Sequence, residues 1–169
     1  MIRRLILPLL SLALAFNCGC GIYSFSGASV DAGATTVNVR PFENKAPYVN
    51  PTLAQDLTDG LRTKITSQAG LAQVNSDQVD YIFNSTITGY STSTVAVQDV
   101  EKPATARLTV TVKIEFISNP NPDNDFTESF SASEEFSADQ SLDQVQGTLV
   151  EKINKKLIDD IFNRAFVNW

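Results

Sequence analysis

The stretch Arg107–Ser118 reads RLTVTVKIEFIS and alternates strictly between polar and apolar side chains. One face of an extended chain would carry the apolar set Leu108, Val110, Val112, Ile114 and Phe116. The other face would carry the polar set Arg107, Thr109, Thr111, Lys113 and Glu115. This pattern predicts a β-strand, because successive side chains of a strand point to opposite faces of the sheet. One dry face and one wet face indicate an antiparallel sheet that is covered on one side only.

Further strand patterns lie on both sides of this stretch. The turn-forming sequence NPNPDND at 119–125, followed by Phe126–Phe136, predicts a hairpin partner. Upstream, Val79–Val97 is rich in Thr, Ser, Tyr, Ile and Val and alternates well enough to predict a long strand. The segment Thr35–Phe42 predicts a first, half-buried strand that ends near Pro41.

Two segments have helical rather than strand periodicity. The first repeats apolar residues at every fourth position, at Leu53, Leu57, Leu61 and Ile65. Asn50 precedes this stripe as a predicted N-cap, and Gly70 follows it as a predicted C-terminal stop. The second segment opens with a capping box formed by Ser141 and Gln144, and its apolar stripe predicts a helix of about 25 residues that ends at Trp169.

These elements predict an α+β fold with the order strand, helix, three strands, helix. We expect a two-layer sandwich in which two amphipathic helices pack on one face of a mostly antiparallel or mixed sheet of about four strands. The mature chain is long enough for one domain with a real core but too short for two.

The N-terminus is typical of an export signal. Arg3 and Arg4 precede the apolar run LILPLLSLALAF at 5–16, which has the length of a signal-peptide core. The run is too short to span a membrane, since a transmembrane helix needs roughly 20 apolar residues. We therefore predict that residues 1–19 are removed and that residues 20–169, which number 150 of the 169, form a single domain.

Both cysteines of the chain follow the apolar run, at positions 18 and 20. Gly19–Cys20 resembles the end of a bacterial lipobox, in which the signal is cut before a cysteine that becomes acylated, so Cys20 is the predicted lipidation site. Cleavage before Cys18 is the alternative, with Asn17 next to the cut. A Cys18–Cys20 disulfide would close a very tight ring, near the limit of the separations that a bridge tolerates. A metal site would need further ligands, and the chain has no other Cys and no His.

Composition excludes several classes of function. Loss of Arg3 and Arg4 takes the formal net charge from −6 to −8, which argues against nucleic acid as a partner. Membrane attachment would then come from acyl chains on Cys20 rather than from electrostatic attraction. Without histidine there is no Ser-His or Cys-His pair and no ordinary zinc site, so we expect no enzyme, no cofactor and no metal centre. The lysines Lys152, Lys155 and Lys156 predict either a solvated helix face or a contact with an anionic head group or partner loop.

Five segments together resemble one known family. They are CGIYSFSG (20–27), RPFENKAPYVNPTLAQDLTDGLRTKI (40–65), YIFNSTITGY (81–90), RLTVTVKIEF (107–116) and DDIFNRAFVNW (159–169). The chain is similar to the LptE lipopolysaccharide-assembly lipoproteins. The resemblance implies a non-catalytic outer-membrane lipoprotein that plugs the LptD β-barrel, helps it assemble and assists insertion of lipopolysaccharide into the outer leaflet. Only the lipidated cysteine is carried over, to Cys20, and direct binding of lipopolysaccharide stays open.

The wet face of the sheet is the predicted partner surface. We place there Arg107, Thr109, Thr111, Lys113 and Tyr90. Such a polar face suits the wet interior wall of a barrel, although it could equally face water. A second interpretation also stays open, because VNVRPFENKAP at 37–47 resembles the first strand and helix of the TolB N-terminal domain and of curli-secretion lipoproteins. The protein would then be another scaffold lipoprotein that faces the periplasm.

Overall fold

The computed structural model describes residues 28–48, 50–95 and 104–167. These residues form six strands and two α-helices. In chain order they are β1 Thr36–Val39, β2 Glu43–Asn44, α1 Leu53–Ala69, β3 Ala72–Gln73, β4 Tyr81–Val95, β5 Thr105–Ser118, β6 Phe126–Ser137 and α2 Leu142–Phe166. The α+β class is confirmed, with six strands instead of about four. The predicted signal peptide and Cys20 lie outside the described residues.

The sheet is mixed, as predicted. Its strand order is β3-β1-β4-β5-β6, and β2 also pairs with β4. The three short strands are parallel to their neighbours, whereas β4, β5 and β6 form an antiparallel meander. The predicted first strand, Thr35–Phe42, is observed as β1 and ends before Pro41, which has no N–H to donate to a ladder. β2 follows after Pro41 as a separate short strand that the sequence did not predict.

The alternation of β5 fixes which face of the sheet is buried. Its five apolar side chains, at positions 108, 110, 112, 114 and 116, are at most 2% exposed. The inward residues of β4 continue the same face, with Phe83 and Ile87 fully buried. Both helices cover this side, and the predicted stripe of α1, from Leu53 to Ile65, is fully buried against it. The predicted two-layer arrangement is therefore confirmed.

An aromatic cluster joins the end of α2 to the sheet. The ring of Phe166 lies edge-on to Tyr81 and Phe116, with centroid distances of 5.5 and 5.9 Å. Phe116 also packs on Phe83 at 4.8 Å and on Phe126 at 5.2 Å. Such pairs stabilise a core beyond the area that they bury. They hold the last turn of α2 over the middle strands.

The helix ends follow the predicted capping residues closely. α1 begins two residues later than predicted, so its N-cap is Thr52 and not Asn50. Asn50 Oδ1 still accepts the backbone N–H of Leu53 at 3.3 Å. Gly70 ends this helix in the left-handed conformation, with φ of 69°, which favours glycine. In α2 the Gln144 side chain accepts the backbone N–H of Ser141 at 3.4 Å, as a capping box requires. α2 ends at Phe166 rather than at Trp169, which lies outside the described residues.

One carboxylate connects the start of β1 to the start of β4. Asp80 Oδ2 accepts the backbone N–H groups of Thr35 and Thr36, both at 2.9 Å, and the Thr36 hydroxyl at 2.7 Å. These hydrogen bonds favour the ionised form and lower the pKa of Asp80. The neighbouring Tyr81 donates its hydroxyl to Asp31 at 2.9 Å, and burial raises the pKa of Tyr81 to about 12. Tyr81 therefore stays neutral at physiological pH.

The one-sided burial of β5 predicts that neighbouring substitutions differ sharply in their effect on stability. Val112→Asp places an unpaired charge at a fully buried position and should lower the free energy of unfolding by about 4 kcal/mol or more. Thr109→Asp lies on the opposite face and should cost about 1 kcal/mol or less. Chemical denaturation of both variants measures the difference. Equal losses would mean that β5 is buried on both faces.

Candidate functional site

The side of the sheet opposite the helices is rich in hydroxyl groups. Neither described helix covers this side of β4, β5 and β6. We call it the open sheet face and define it by Thr86, Thr88, Arg107, Thr109, Thr111, Lys113, Ser129, Ser131, Ser133 and Glu135. Four of the five predicted partner-facing residues, all those on β5, belong to it. On the central strand β5, Thr109 and Thr111 lie between two basic residues, Arg107 and Lys113.

The polar groups of the open sheet face bind one another across the strands. Arg107 pairs with Glu135 at 2.6 Å, and both side chains are about half exposed. The Thr111 and Ser131 hydroxyls lie 3.1 Å apart, within hydrogen-bond distance. Exposed ion pairs contribute little to stability, so these contacts order the surface more than they stabilise the fold. The face therefore offers hydrogen-bonding groups to a partner.

Tyr90 does not lie on this face, so that part of the predicted surface is wrong. The pairing of β4 with β5 shifts register between Ile87 and Gly89, and Tyr90 then pairs with the buried Val110. Tyr90 is 6% exposed, and its hydroxyl accepts a hydrogen bond from Gln146 Nε2 at 2.7 Å. A bulge adds one residue to a strand and so turns every later side chain to the opposite face. Gly89 was the sequence signal for this bulge, because a glycine inside a strand pattern often marks one.

The side chains around Tyr90 form one wall of a cavity between the helices. The Tyr48 ring stacks on Tyr90 with a centroid distance of 5.1 Å, and burial raises the pKa of Tyr90. The cavity has a volume of about 680 Å³ and opens between the start of α1 and residues 143–159 of α2. We call it the helix groove and define it by Tyr48, Asp56, Asp143, Gly147, Glu151 and Asn154. The sequence did not predict this groove.

The described residues bring together no arrangement suited to metal binding. In ranges 28–48, 50–95 and 104–167, no group of three or more Asp, Glu, Cys or His side chains could hold a metal ion. Within the same part of the chain, no helix is long and apolar enough to cross a membrane. The predicted basic stretch on α2 is divided, because Lys156 pairs with Glu134 at 2.5 Å while Lys155 lines the helix groove. Lys156 also lowers the pKa of Glu134 by its hydrogen bond.

The fold is that of a two-layer α+β domain of the kind found in bacterial lipoproteins. A minor lipoprotein from Acinetobacter baumannii has 14% sequence identity and a TM-score of 0.52, and the match covers 78% of this chain and 91% of that one. A hypothetical protein from Chlamydia trachomatis has 9% identity and a TM-score of 0.55, with 80% of this chain and 99% of that one covered. At these identities the likeness shows the fold alone.

The family follows from the sequence match. The family model described as LptE, lipopolysaccharide-assembly, matches residues 34–165, which is most of the chain. The chain therefore belongs to the LptE family of lipopolysaccharide-assembly lipoproteins, as the sequence resemblance implied. No curated protein sequence matches the chain.

The inward orientation of Tyr90 predicts a measurable loss of stability when its hydroxyl group is removed. Tyr90→Phe should lower the free energy of unfolding by about 1 kcal/mol, because the hydrogen bond with Gln146 is lost in a largely buried position. Tyr48→Phe is the matched control and should change stability little, since that side chain is 49% exposed. Thermal and urea unfolding measure both. No difference between the two variants would contradict the inward orientation.

Proposed function

We propose that this LptE-family protein is the lipid-anchored plug of an LptD-type β-barrel in the outer membrane. In that position it helps the barrel assemble and assists insertion of lipopolysaccharide into the outer leaflet. Its role is stoichiometric and structural, not catalytic. The single observation that carries the proposal is family membership over residues 34–165, and the open sheet face supplies a surface suited to the role.

The chemistry and length of the open sheet face support this proposal. The interior wall of a large outer-membrane barrel is polar and wet, so a plug must present hydrogen-bonding side chains rather than apolar ones. Threonine and serine hydroxyls from β5 and β6 meet that requirement. On β5 the open sheet face runs from Arg107 to Lys113, about 20 Å, which is about two-thirds of the roughly 30 Å hydrocarbon core of a bilayer. Its contacts would therefore cover most, though not all, of the height of the lumen.

The anchor belongs to the same proposal. Residues 1–19 act as the signal peptide, residues 20–169 form the mature domain, and acyl chains on Cys20 attach it to the outer membrane. Ser29 donates its backbone N–H to the carbonyl of Phe166 at 2.6 Å, which holds the start of the described chain at the end of α2. A chain extends at most about 3.5 Å per residue, so Cys20 lies within about 28 Å of Ala28. This end of the domain would face the membrane.

Acylation at Cys20 predicts a specific loss of membrane attachment. Cys20→Ala should no longer incorporate fatty acid and should leave the membrane fraction unless its barrel partner retains it. Metabolic labelling with a radioactive fatty acid, followed by membrane fractionation, measures both effects. Cys18→Ala is the matched control and should be labelled normally. Label that persists in Cys20→Ala and disappears in Cys18→Ala would assign the anchor to Cys18.

The plug role predicts that changes to the open sheet face weaken binding of the barrel without unfolding the domain. Thr109→Trp combined with Lys113→Glu adds bulk and reverses a charge on the central strand, where exposed positions contribute little to stability. We expect the double variant to melt like the wild type but to co-purify several-fold less barrel from detergent-solubilised outer membrane. Thr66→Trp with Lys152→Glu is the control, since both positions are exposed on the helix layer.

Depletion of the protein tests the proposal as a whole. Cells that lack it should contain less correctly assembled barrel and should accumulate lipopolysaccharide on the inner side of the envelope. Normal surface lipopolysaccharide together with a normally assembled barrel would contradict the plug role. The protein would then be another scaffold lipoprotein of the envelope.

A further inference from the structure

The helix groove contains a glycine that packing does not require. Gly147 lies inside α2, where glycine is less favourable than alanine because the unfolded chain gains more freedom. A Cβ atom at Gly147 would meet no atom of the described residues within 4 Å. Gly60 of α1 differs, because a Cβ there would lie 2.5 Å from Ile158 Cδ1. Close helix contact therefore explains Gly60, whereas at Gly147 the missing side chain leaves the groove open.

The groove also contains a buried polar side chain without a partner. Asn154 is 7% exposed and lines the groove, and none of the described residues donates a hydrogen bond to its Oδ1. Buried acceptors are nearly always paired, because leaving one unpaired costs its full desolvation penalty. In this conformation Oδ1 is itself buried, so a ligand in the groove reaches it only after the Asn154 amide turns by about 180° and exchanges Oδ1 with Nδ2. The turned amide would then accept an N–H donor from the ligand, which removes the penalty.

The charges around the groove favour a cation. Among the described residues, four carboxylates line it, at Asp56, Asp143, Glu151 and Asp159, against one cation, that of Lys155. Asp159 also binds Lys64 at 2.7 Å, which leaves a net negative charge. A concave site lined by one sign of charge concentrates ligands of the opposite sign.

The other residues that line the helix groove determine which kind of cation it favours. Val150 and Ile158 form an apolar floor, and the half-exposed Tyr48 ring stands beside it. Val150 and Ile158 are already buried, so the Tyr48 ring, which is 49% exposed, is the main apolar surface that a ligand can cover. A polyamine has no planar group to stack on this ring. Guanidinium groups stack on aromatic rings and present five N–H donors in a plane, so arginine fits better than lysine. The volume of about 680 Å³ lies in the range of ordinary ligand sites.

We propose that the helix groove binds an arginine side chain presented by a segment of a partner protein. The guanidinium group donates to the carboxylates and, once the Asn154 amide has turned, to its Oδ1. It stacks on the exposed side of Tyr48, and flanking apolar side chains cover the rest of that ring. The groove lies in the helix layer, on the opposite side from the open sheet face. The two surfaces can therefore be occupied at the same time, and this proposal does not rest on the plug role.

A pair of model peptides tests the charge requirement. The full chain, labelled with ¹⁵N in detergent micelles, is titrated with acetyl-Leu-Arg-Leu-amide and with the same peptide carrying citrulline, which keeps the shape of arginine without its charge. We expect the arginine peptide to shift the amide signals of Tyr48, Gly147 and Asn154. The citrulline peptide should bind about tenfold more weakly, because charge-assisted hydrogen bonds are about twice as strong as neutral ones.

Three variants test the site itself. Gly147→Leu fills the groove and should weaken binding of the arginine peptide about tenfold or more, because leucine occupies the space that the ligand needs. Thr148→Leu is the control at the next, exposed position and should bind like the wild type. Asn154→Leu keeps the carboxylates but removes the acceptor, so it should weaken binding while the domain melts at or above the wild-type temperature.

Several results would overturn the groove proposal. They are equal binding of the arginine and citrulline peptides, spermidine binding as tightly as the arginine peptide, signal shifts confined to other residues, and no shifts at all. None of these results bears on the plug role, because the assay contains no barrel. Loss of barrel binding in the sheet-face variant, in turn, would leave the groove proposal intact.

Discussion

The strict alternation of β5 is the constraint on which the rest of the structure depends. This strand pairs with β4 on one side and with β6 on the other, so its dry face sets the dry face of all three long strands. Five fully or almost fully buried side chains in one strand require a cover, and both helices supply it from the same side. In the described part of the chain no helix covers the opposite face, and its hydroxyl groups keep it compatible with water or with a polar partner.

Local signals were enough to predict the helices, the long strands and the two-layer class, because each rests on a period or on a cap. The left-handed Gly70 and the Ser141–Gln144 capping box act within a few residues of their own positions. The short strands β2 and β3 could not be predicted, since two residues carry no period and their pairing depends on where β4 and β1 lie. The predicted orientation of Tyr90 was wrong, because one extra residue in β4 turns every later side chain of the strand to the opposite face.

The helix groove illustrates a different limit. Its walls come from segments about a hundred residues apart, so only the packing of α1 against α2 brings Tyr48 near Gly147 and Asn154. In the sequence Asn154 follows Ile153 of the apolar stripe, and nothing local indicates that its side chain is buried without a donor. Gly147 was the one local sign, because glycine inside a long amphipathic helix needs a reason.

The edge strand β6 influences which surface of this domain a partner can bind. β6 is a long edge strand, and such edges tend to pair with strands of other chains. Two of its side chains on the helix side are glutamates, and each pairs with α2, Glu128 with Arg164 at 2.7 Å and Glu134 with Lys156. Inward charges on an edge strand oppose the addition of another strand, because a new neighbour would have to displace or bury them. Contact through the open sheet face, rather than through the edge, is therefore the mode of association that this architecture favours.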